Sequence, residues 1–395
     1  MGIYMEYALK LIDSKKAYYC FCTKERLDSL KGKNDEGIEF SKYDRHCLYL
    51  SEKETEENLK AGIPFVIRQK MPESGKTTFT DAVYGEITVE NSELDDQILI
   101  KSDGFPTYNF ANVVDDHLMN ITHVVRGSEY LSSTPKYTLL YEAFGWDTPE
   151  YVHLPPVMRD AQHKLSKRQG DKSFEDLIAD GYIPEAIINY IALLGWSPGD
   201  NTEIFSLDEL IKVFKISGLS KSPAIFDIKK LAWMNGEYFK GMSGEAFSEH
   251  SKDIHSGTIK SGLDIQKIAE LLKTRIETLN QIPELTDFFD ELPEYDNSLY
   301  EHKKMKTNSE NSLDSLKACL PVFEGINEWR LDVIHDSIMS LIEDMGIKNG
   351  QMLWPIRTAL SGKPSSPGGA FELAEILGKE ETIKRIEKGI EKLSL

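Results

Sequence analysis

Cysteine is scarce in this sequence, long apolar runs are missing, and positive charge is outnumbered. Four cysteines occur in 395 residues, too few at this size for a disulfide scaffold. Three of them fall within the first 47 positions, and Cys319 stands alone far downstream as a buried or bystander thiol. The longest apolar segment, AIINYIALLGW, is too short and too interrupted to span a bilayer, and no basic-then-apolar leader opens the sequence. A cytoplasmic protein with no membrane partner is expected. Lysine and arginine number 46 against 65 aspartates and glutamates, a formal charge of −19. Affinity for phosphate backbones comes largely from cations, so this balance argues against nonspecific nucleic-acid binding and leaves room only for a local basic groove. No internal repeat is detectable.

What is present is a globular composition, 40% apolar and 28% charged, in a chain long enough for two or three domains. Residues 3–16, IYMEYALKLIDSKK, place Ile3, Tyr7 and Leu11 at helical spacing, yet this helix starts with no capping residue and no preceding strand. The segment 20–50 is polar and loop-rich. From GIPFVIRQKM to GEITVENSELDDQILIKSDG, short runs of Val, Ile, Thr and Phe predict an antiparallel β-rich piece. Then elements alternate: YNFANVVDDHLM reads as a helix, ITHVVRG as a buried strand, STPKYTLLYEAFG as a helix opened by Ser133 or Thr134 with Pro135 and stopped by Gly145, and YVHLPPVMRD as a strand. Such alternation implies a parallel sheet, whose ligands bind beyond the carboxyl ends of the strands. Arg126 and the run HKLSKRQGD both sit at such ends.

That run concentrates Lys164, Lys167 and Arg168 just before a helix whose start, Ser173 with Asp176, forms a capping box. Most charge clusters are solvated surface, so the run alone does not decide between a phosphate grip and a wet loop. A second basic stretch, ESGKTTF, lacks the glycine a phosphate loop needs five residues before Gly75, where Lys70 stands; a turn between strands is expected there. PEAIINYIALLG predicts a further helix from Pro184 to Gly195. Beyond residue 240 the pattern is mainly amphipathic helix, including LDIQKIAELLKTRIETLNQI, VIHDSIMSLIEDMG, FELAEILG and ETIKRIEKGIEKL, with one Gly/Pro/Ser loop, SGKPSSPGG.

Four runs, SDGFPTYNFANVVDDHLMNITHVVRGSEYLSSTPKY, AFGWDTPEYVHLPPVMRDAQHKLSKRQGD, GYIPEAIINYIALLGWSPGD and LSKSPAIFDIKKLAWMNGEY, resemble bacterial glutamyl-tRNA synthetases, a family of class I aminoacyl-tRNA synthetases. The resemblance is close over most of residues 3–240 and looser beyond. It implies an α/β nucleotide-binding domain of Rossmann-like, class I type, incomplete here, with a β-rich insertion and an all-α C-terminal anticodon-binding region. The implied division is 1–19 as a remnant of the nucleotide-binding domain, 20–104 as the acceptor-stem-binding insertion, 105–172 as the second half of the nucleotide-binding domain, 173–240 as the stem-contact domain and 241–395 as the anticodon-binding domain. It also implies ATP with Mg2+ as cofactors, glutamate and tRNA(Glu) as partners, and a monomer.

In that family KLSKR serves the step in which glutamate and ATP give glutamyl-adenylate and pyrophosphate. By resemblance Lys164 and Lys167 stabilise the charge that develops on the departing pyrophosphate and bind ATP, and Ser166 shapes the loop. Arg126 takes the substrate's side-chain carboxylate, for which its planar fork is suited. Tyr108 and Asn112, one helical turn apart, line the same pocket. Glu129 and Tyr130 lie toward the adenosine, and Asp115 and Asp116 are left structural. Cys20-x-Cys22, 24 residues, then Cys47-x-Tyr49 resembles the zinc site of some members' insertion. Thiolates suit a closed tetrahedral Zn2+ site, with Tyr49 as the fourth donor and Tyr43 and His46 competing for the place.

The family's other signature, His-x-Gly-His, is not found among the nine histidines. With the uncapped first helix this leads to the expectation that the chain starts inside the nucleotide-binding domain and, as written, is inactive or nearly so. The glutaminyl enzyme, with a β-barrel anticodon part, and the short paralogue that glutamylates a modified tRNA base fit the helical C-terminal region less well. A noncatalytic tRNA-binding protein is the alternative from a different class.

Overall fold

A computed structural model describes residues 2–30, 32–33, 39–40, 42–258 and 262–394. Contacts divide the chain into two units: residues 1–165, 194–201 and 213–226 form one, and 166–193, 202–212 and 227–395 the other.

In the first unit, helix α1 (Gly2–Asp13) leads into strand β1 (Ala17–Cys20). Strands β2 (Val66–Gln69) and β5 (Ile98–Ile100) complete a three-stranded sheet in the order β1-β2-β5, antiparallel throughout, with a bulge between Ile67 and Arg68. Between them lies a hairpin of β3 (Lys76–Asp81) and β4 (Gly85–Glu90). The Gly75-Lys76 run is therefore a turn entering a strand, as its failed phosphate-loop spacing requires. Helix α2 (Tyr108–Leu118), strand β6 (His123–Gly127), helix α3 (Thr134–Phe144) and strand β7 (Glu150–Leu154) follow. Pro135 opens α3 and Gly145, at φ 70°, closes it, a left-handed position that favours glycine.

The second sheet runs β4-β3-β7-β6. β6 and β7 are parallel with Arg126 opposite His153, and β3 is parallel to β7 at Asp81 and Tyr151. The alternation of helix and strand thus yields parallel neighbours, while the β3–β4 hairpin makes the sheet mixed. One expectation is corrected: ITHVVRG is not a buried strand. It lies at the sheet edge, with a strand neighbour on one side only, and leaves Val125 59% exposed. Helices α1, α2 and α3 bury Ala8, Leu11, Phe110, Val113, Val114, Tyr137 and Leu140 together against Ile67 and Leu99. Trp146 stacks on Phe144 at 4.1 Å between ring centroids and on His117, in the last turn of α2, at 3.6 Å. Two short parallel strands, β8 (Val157–Met158) and β9 (Ala224–Ile225), end the unit.

The second unit is helical. It opens with α4 (Phe174–Ala179), where the Ser173–Asp176 capping box forms as expected, and α5 (Pro184–Leu193). Then come α6 (Ile228–Gly241), α7 (Gly244–Thr258), α8 (Ile265–Leu272), α9 (Ile282–Asp290), α10 (Ser309–Gly325), α11 (Leu331–Asp344), α12 (Asn349–Ser361), α13 (Ala370–Leu377) and α14 (Lys379–Ser394). Their apolar stripes meet in one core around Phe239, Phe247, Phe288, Leu316, Ile338, Ile356 and Ile386. LDIQKIAELLKTRIETLNQI does not make one helix. It breaks after Leu272, and a box between Thr278 and Gln281 starts the next turn ahead of Pro283. No described helix is long and apolar enough to cross a membrane.

Candidate functional site

The end of β6 carries Arg126, and its surroundings explain why a cation can sit there. Its guanidinium lies over the rings of Tyr137 (4.5 Å), Tyr130 (5.2 Å) and Tyr151 (5.6 Å), contacts that favour a partly desolvated cation. Nε donates to His153 Nε2 at 3.1 Å and Nη2 to Thr134 Oγ1 at 3.0 Å. No carboxylate pairs with Arg126 among the described residues. Arg126 acts on Asp116 electrostatically: burial pushes that carboxyl up while Arg126 pulls it down. Buried hydroxyls crowd the same place: burial raises Tyr141, and it raises Tyr151 to about 12. The arrangement is a preformed, half-buried cation offering N–H donors to an anion.

His153 faces Arg126 across the strand pair and is fully buried, as is Asp81. Asp81 Oδ2 accepts from the His153 backbone N–H at 3.0 Å and lies 2.6 Å from its Nδ1, while Oδ1 accepts from Val83 and Tyr84 N–H and so closes the β3–β4 turn. Burial lowers the imidazole pKa, Asp81 opposes this and Arg126 adds to it. The ring is therefore neutral near pH 7. Sequence reasoning missed His153, Asp81 and Thr134; the signal available was a histidine in the apolar strand YVHLP, a polar group that needs partners when buried.

Tyr108 and Asn112 share one face of α2. Tyr108 is 61% exposed, its ring 6.0 Å from that of Tyr130. Asn112 Oδ1 is buried with no hydrogen-bond partner among the described residues, which is how a ligand-facing amide looks before its ligand arrives. Asp115 accepts from Tyr4 Oη at 2.9 Å and ties α1 to α2, in keeping with a structural role. Glu129 is exposed in the turn after β6.

The lysine run is held by its backbone. Asp160 Oδ1 accepts from Gln162 and His163 N–H at 2.8 and 2.9 Å, and Lys164 bridges antiparallel to Met158. The boundary between the units falls after Leu165. Beyond it Asp171 Oδ2 accepts from Ser166 N–H at 2.6 Å, and Lys167–Gln169 make a single tight turn closed by Gly170 at φ 85°. Lys164 and Lys167 are exposed and make no ion pair among the described residues.

The three N-terminal cysteines converge. Cys20, Cys22 and Cys47 place their sulfurs within 4.8 Å of one another. The sequence choice of a fourth donor is corrected: Tyr49 is 71% exposed and donates to Glu73. Tyr43 Oη lies 3.3 Å from Cys20 Sγ and 3.4 Å from Cys22 Sγ. His46 is no closer to the role, since Tyr43 is the group at the sulfurs. A tetrahedral zinc with Zn–S bonds of about 2.3 Å has sulfur–sulfur edges of roughly 3.8 Å; the Cys22–Cys47 separation is 3.5 Å, so small shifts of the sulfurs would accompany binding. Hydrogen bonding from Cys47 and Tyr43 draws the Cys20 thiol below its usual range, against the effect of burial. Arg68, buried, lies with its guanidinium 4.1 Å from the Tyr43 ring.

Residues 1–233 match the family described as tRNA synthetases class I (E and Q), catalytic domain, and residues 244–390 match an anticodon binding domain. A glutamate–tRNA ligase of Clostridium tetani is 64% identical over 391 residues, covering 99% of this chain and 80% of the relative. One of Clostridium kluyveri is 62% identical and covers 100% of this chain and 81% of the relative. Among solved structures, a glutamate tRNA ligase from Elizabethkingia meningosepticum in complex with its amino acid superposes with a TM-score of 0.87 at 34% identity, covering 99% of this chain and 82% of that one. The glutamate-tRNA synthetase of Elizabethkingia anophelis gives 0.84 at the same 34% identity. These matches run along essentially the whole chain and give no support to the expectation of a truncated, inactive protein.

Proposed function

From the premise that this chain belongs to the class I tRNA synthetases for glutamate and glutamine, as an enzyme of the glutamate–tRNA ligase kind, we propose the following assignment of its residues. Glutamate and ATP bind, the substrate α-carboxylate attacks the α-phosphorus, and pyrophosphate leaves to give glutamyl-adenylate. The terminal ribose hydroxyl of tRNA(Glu) then displaces AMP. Arg126 binds the substrate's side-chain carboxylate through N–H groups not used by His153 and Thr134, with Asn112 and Tyr108 beside it. Lys164 and Lys167 neutralise charge building on the departing pyrophosphate, an interaction stronger in the transition state than before it. Glu129 and Tyr130 flank the adenosine, and Mg2+ accompanies ATP. The residues 20–104 contact the acceptor stem, 173–240 the stem and 241–395 the anticodon. The protein acts as a cytoplasmic monomer.

Zinc, where bound, holds the small insertion together: Cys20, Cys22 and Cys47 supply thiolates and Tyr43 the oxygen. A module whose buried set is Tyr18, Cys20, Tyr43 and Cys47 with a few partly buried neighbours has little core of its own, and metal binding there is folding energy.

The observation that carries the reading is Arg126, half-buried and caged by tyrosines with no carboxylate to pair with among the described residues. Glutamylation of tRNA(Glu) tests it. Arg126→Ala should lower kcat/KM for glutamate by about 100-fold or more, the cost of stranding a desolvated carboxylate. Lys167→Ala should act mainly on kcat, by roughly 100-fold. An Arg126→Ala enzyme with wild-type glutamate dependence would remove the reading.

A further inference from the structure

We infer that His153 and Asp81 are positioning residues for Arg126, forming a relay that fixes which edge of the guanidinium meets the substrate. The inference rests on the proposal that Arg126 binds the side-chain carboxylate. A free arginine can present either its Nε–Nη2 edge or its Nη1–Nη2 end to a carboxylate, and both are bidentate. Here the protein occupies the Nε–Nη2 edge, with His153 Nε2 at 3.1 Å and Thr134 Oγ1 at 3.0 Å. The Nη1–Nη2 end is left for the ligand, and the ring contacts with Tyr130, Tyr137 and Tyr151 hold the plane.

The relay depends on a tautomer. Arg126 Nε–H can only donate, so His153 Nε2 must carry a lone pair and the ring proton must sit on Nδ1. Asp81 Oδ2, 2.6 Å from Nδ1, accepts that proton and keeps it there. Asp81 is in turn immobile, because its other oxygen caps the β3–β4 turn through Val83 and Tyr84 N–H. A neutral His153 also avoids a second cation beside Arg126. Orientation thus passes from a hairpin turn, through a neutral imidazole, to the group that reads the substrate.

Thr134 Oγ1 completes the edge. It donates to the Tyr130 carbonyl at 3.0 Å, which leaves a lone pair for Arg126 Nη2. One side of the fork is therefore fixed by α3 and the other by β7. A substrate carboxylate meets a cation already held on one edge and against three rings, so less freedom is lost on binding, which is the general source of gain from preorganisation.

The test compares His153→Leu, His153→Gln and Arg126→Ala in the full chain. Each is assayed for kcat and for KM of glutamate and ATP in tRNA glutamylation, and for the glutamate concentration giving half the ligand-induced rise in Tm. Leucine removes the acceptor. Glutamine can place Oε1 where Nε2 was. The expected result is a rise of about 30-fold in the glutamate constant for His153→Leu, with the ATP constant within about twofold of wild type and His153→Gln within about fivefold. If Arg126→Ala raises the glutamate constant and His153→Leu does not, the relay is wrong while the role of Arg126 stands. If His153→Gln is as impaired as His153→Leu, or if both lose kcat, ATP affinity and Tm together, His153 is only a packing residue and the relay is overturned. An unchanged glutamate constant in Arg126→Ala defeats the role of Arg126 and the relay with it.

Discussion

Two tyrosines near one cysteine separate what spacing can reveal from what folding decides. Tyr49, two residues after Cys47, has the spacing of a ligand, yet the tight turn His46–Tyr49 points it to solvent and Glu73. Tyr43 lies four residues before Cys47, where a turn of chain brings its hydroxyl to Cys20 and Cys22 and to the Cys47 N–H at 3.1 Å. Tyr43→Phe should lower zinc content after equilibration with a chelator of matched affinity by about 10-fold or more, and Tyr49→Phe should leave it unchanged; metal analysis of the two variants decides, and the reverse order would restore Tyr49. The same limit governs Arg126. Its chemistry was legible in the sequence, as was its place at a strand end, but its partners His153 and Asp81 are 27 and 45 residues away and meet it only through the register of a sheet.

At the scale of elements, periodicity identified helices and strands wherever one face is buried and the other wet. It failed in LDIQKIAELLKTRIETLNQI, where one expected helix breaks after Leu272. Proline inside a helix needs a separate remedy, and α10 and α12 run through Pro321 and Pro355. Proline at 355 leaves the Gln351 carbonyl without its helical partner. The Ser315 hydroxyl supplies one instead, at 2.9 Å from α10. Ser315→Ala should therefore cost about 1–2 kcal/mol, the price of a buried unsatisfied carbonyl, measurable as a shift in urea midpoint at unchanged slope. An unaltered midpoint would mean that the carbonyl finds another donor. In the same helical unit Arg385, 2% exposed, donates to the Phe288 and Leu360 carbonyls at 2.8 and 2.7 Å and so ties α14 to the ends of α9 and α12. No pattern of apolar spacing announces a buried arginine of this kind.

For the whole molecule, the formal charge of −19 sets how it meets an anionic partner. An acidic protein that binds tRNA does so through locally clustered cations against a repulsive background, and counter-ion release makes that binding salt-dependent. Raising monovalent salt from about 50 to about 200 mM should weaken tRNA(Glu) binding by at least tenfold, read by filter binding or fluorescence anisotropy. A flat salt response would show that phosphate contacts contribute little. The global class, an α/β part followed by helices, was legible because composition and period change along the chain. The division into units was not, because residues 194–201 and 213–226 join the first unit by tertiary contact rather than by sequence neighbourhood.

The stack of Trp146 on His117 has an optical consequence. When protonated, an imidazole lying face-on at 3.6 Å accepts an electron from the excited indole, so His117→Leu is expected to raise the emission of Trp146, one of five tryptophans. His117 belongs to the helix that carries Tyr108 and Asn112. Any displacement of that helix when a ligand settles would part the rings and brighten the emission, giving the protein a built-in light signal for events at its own pocket.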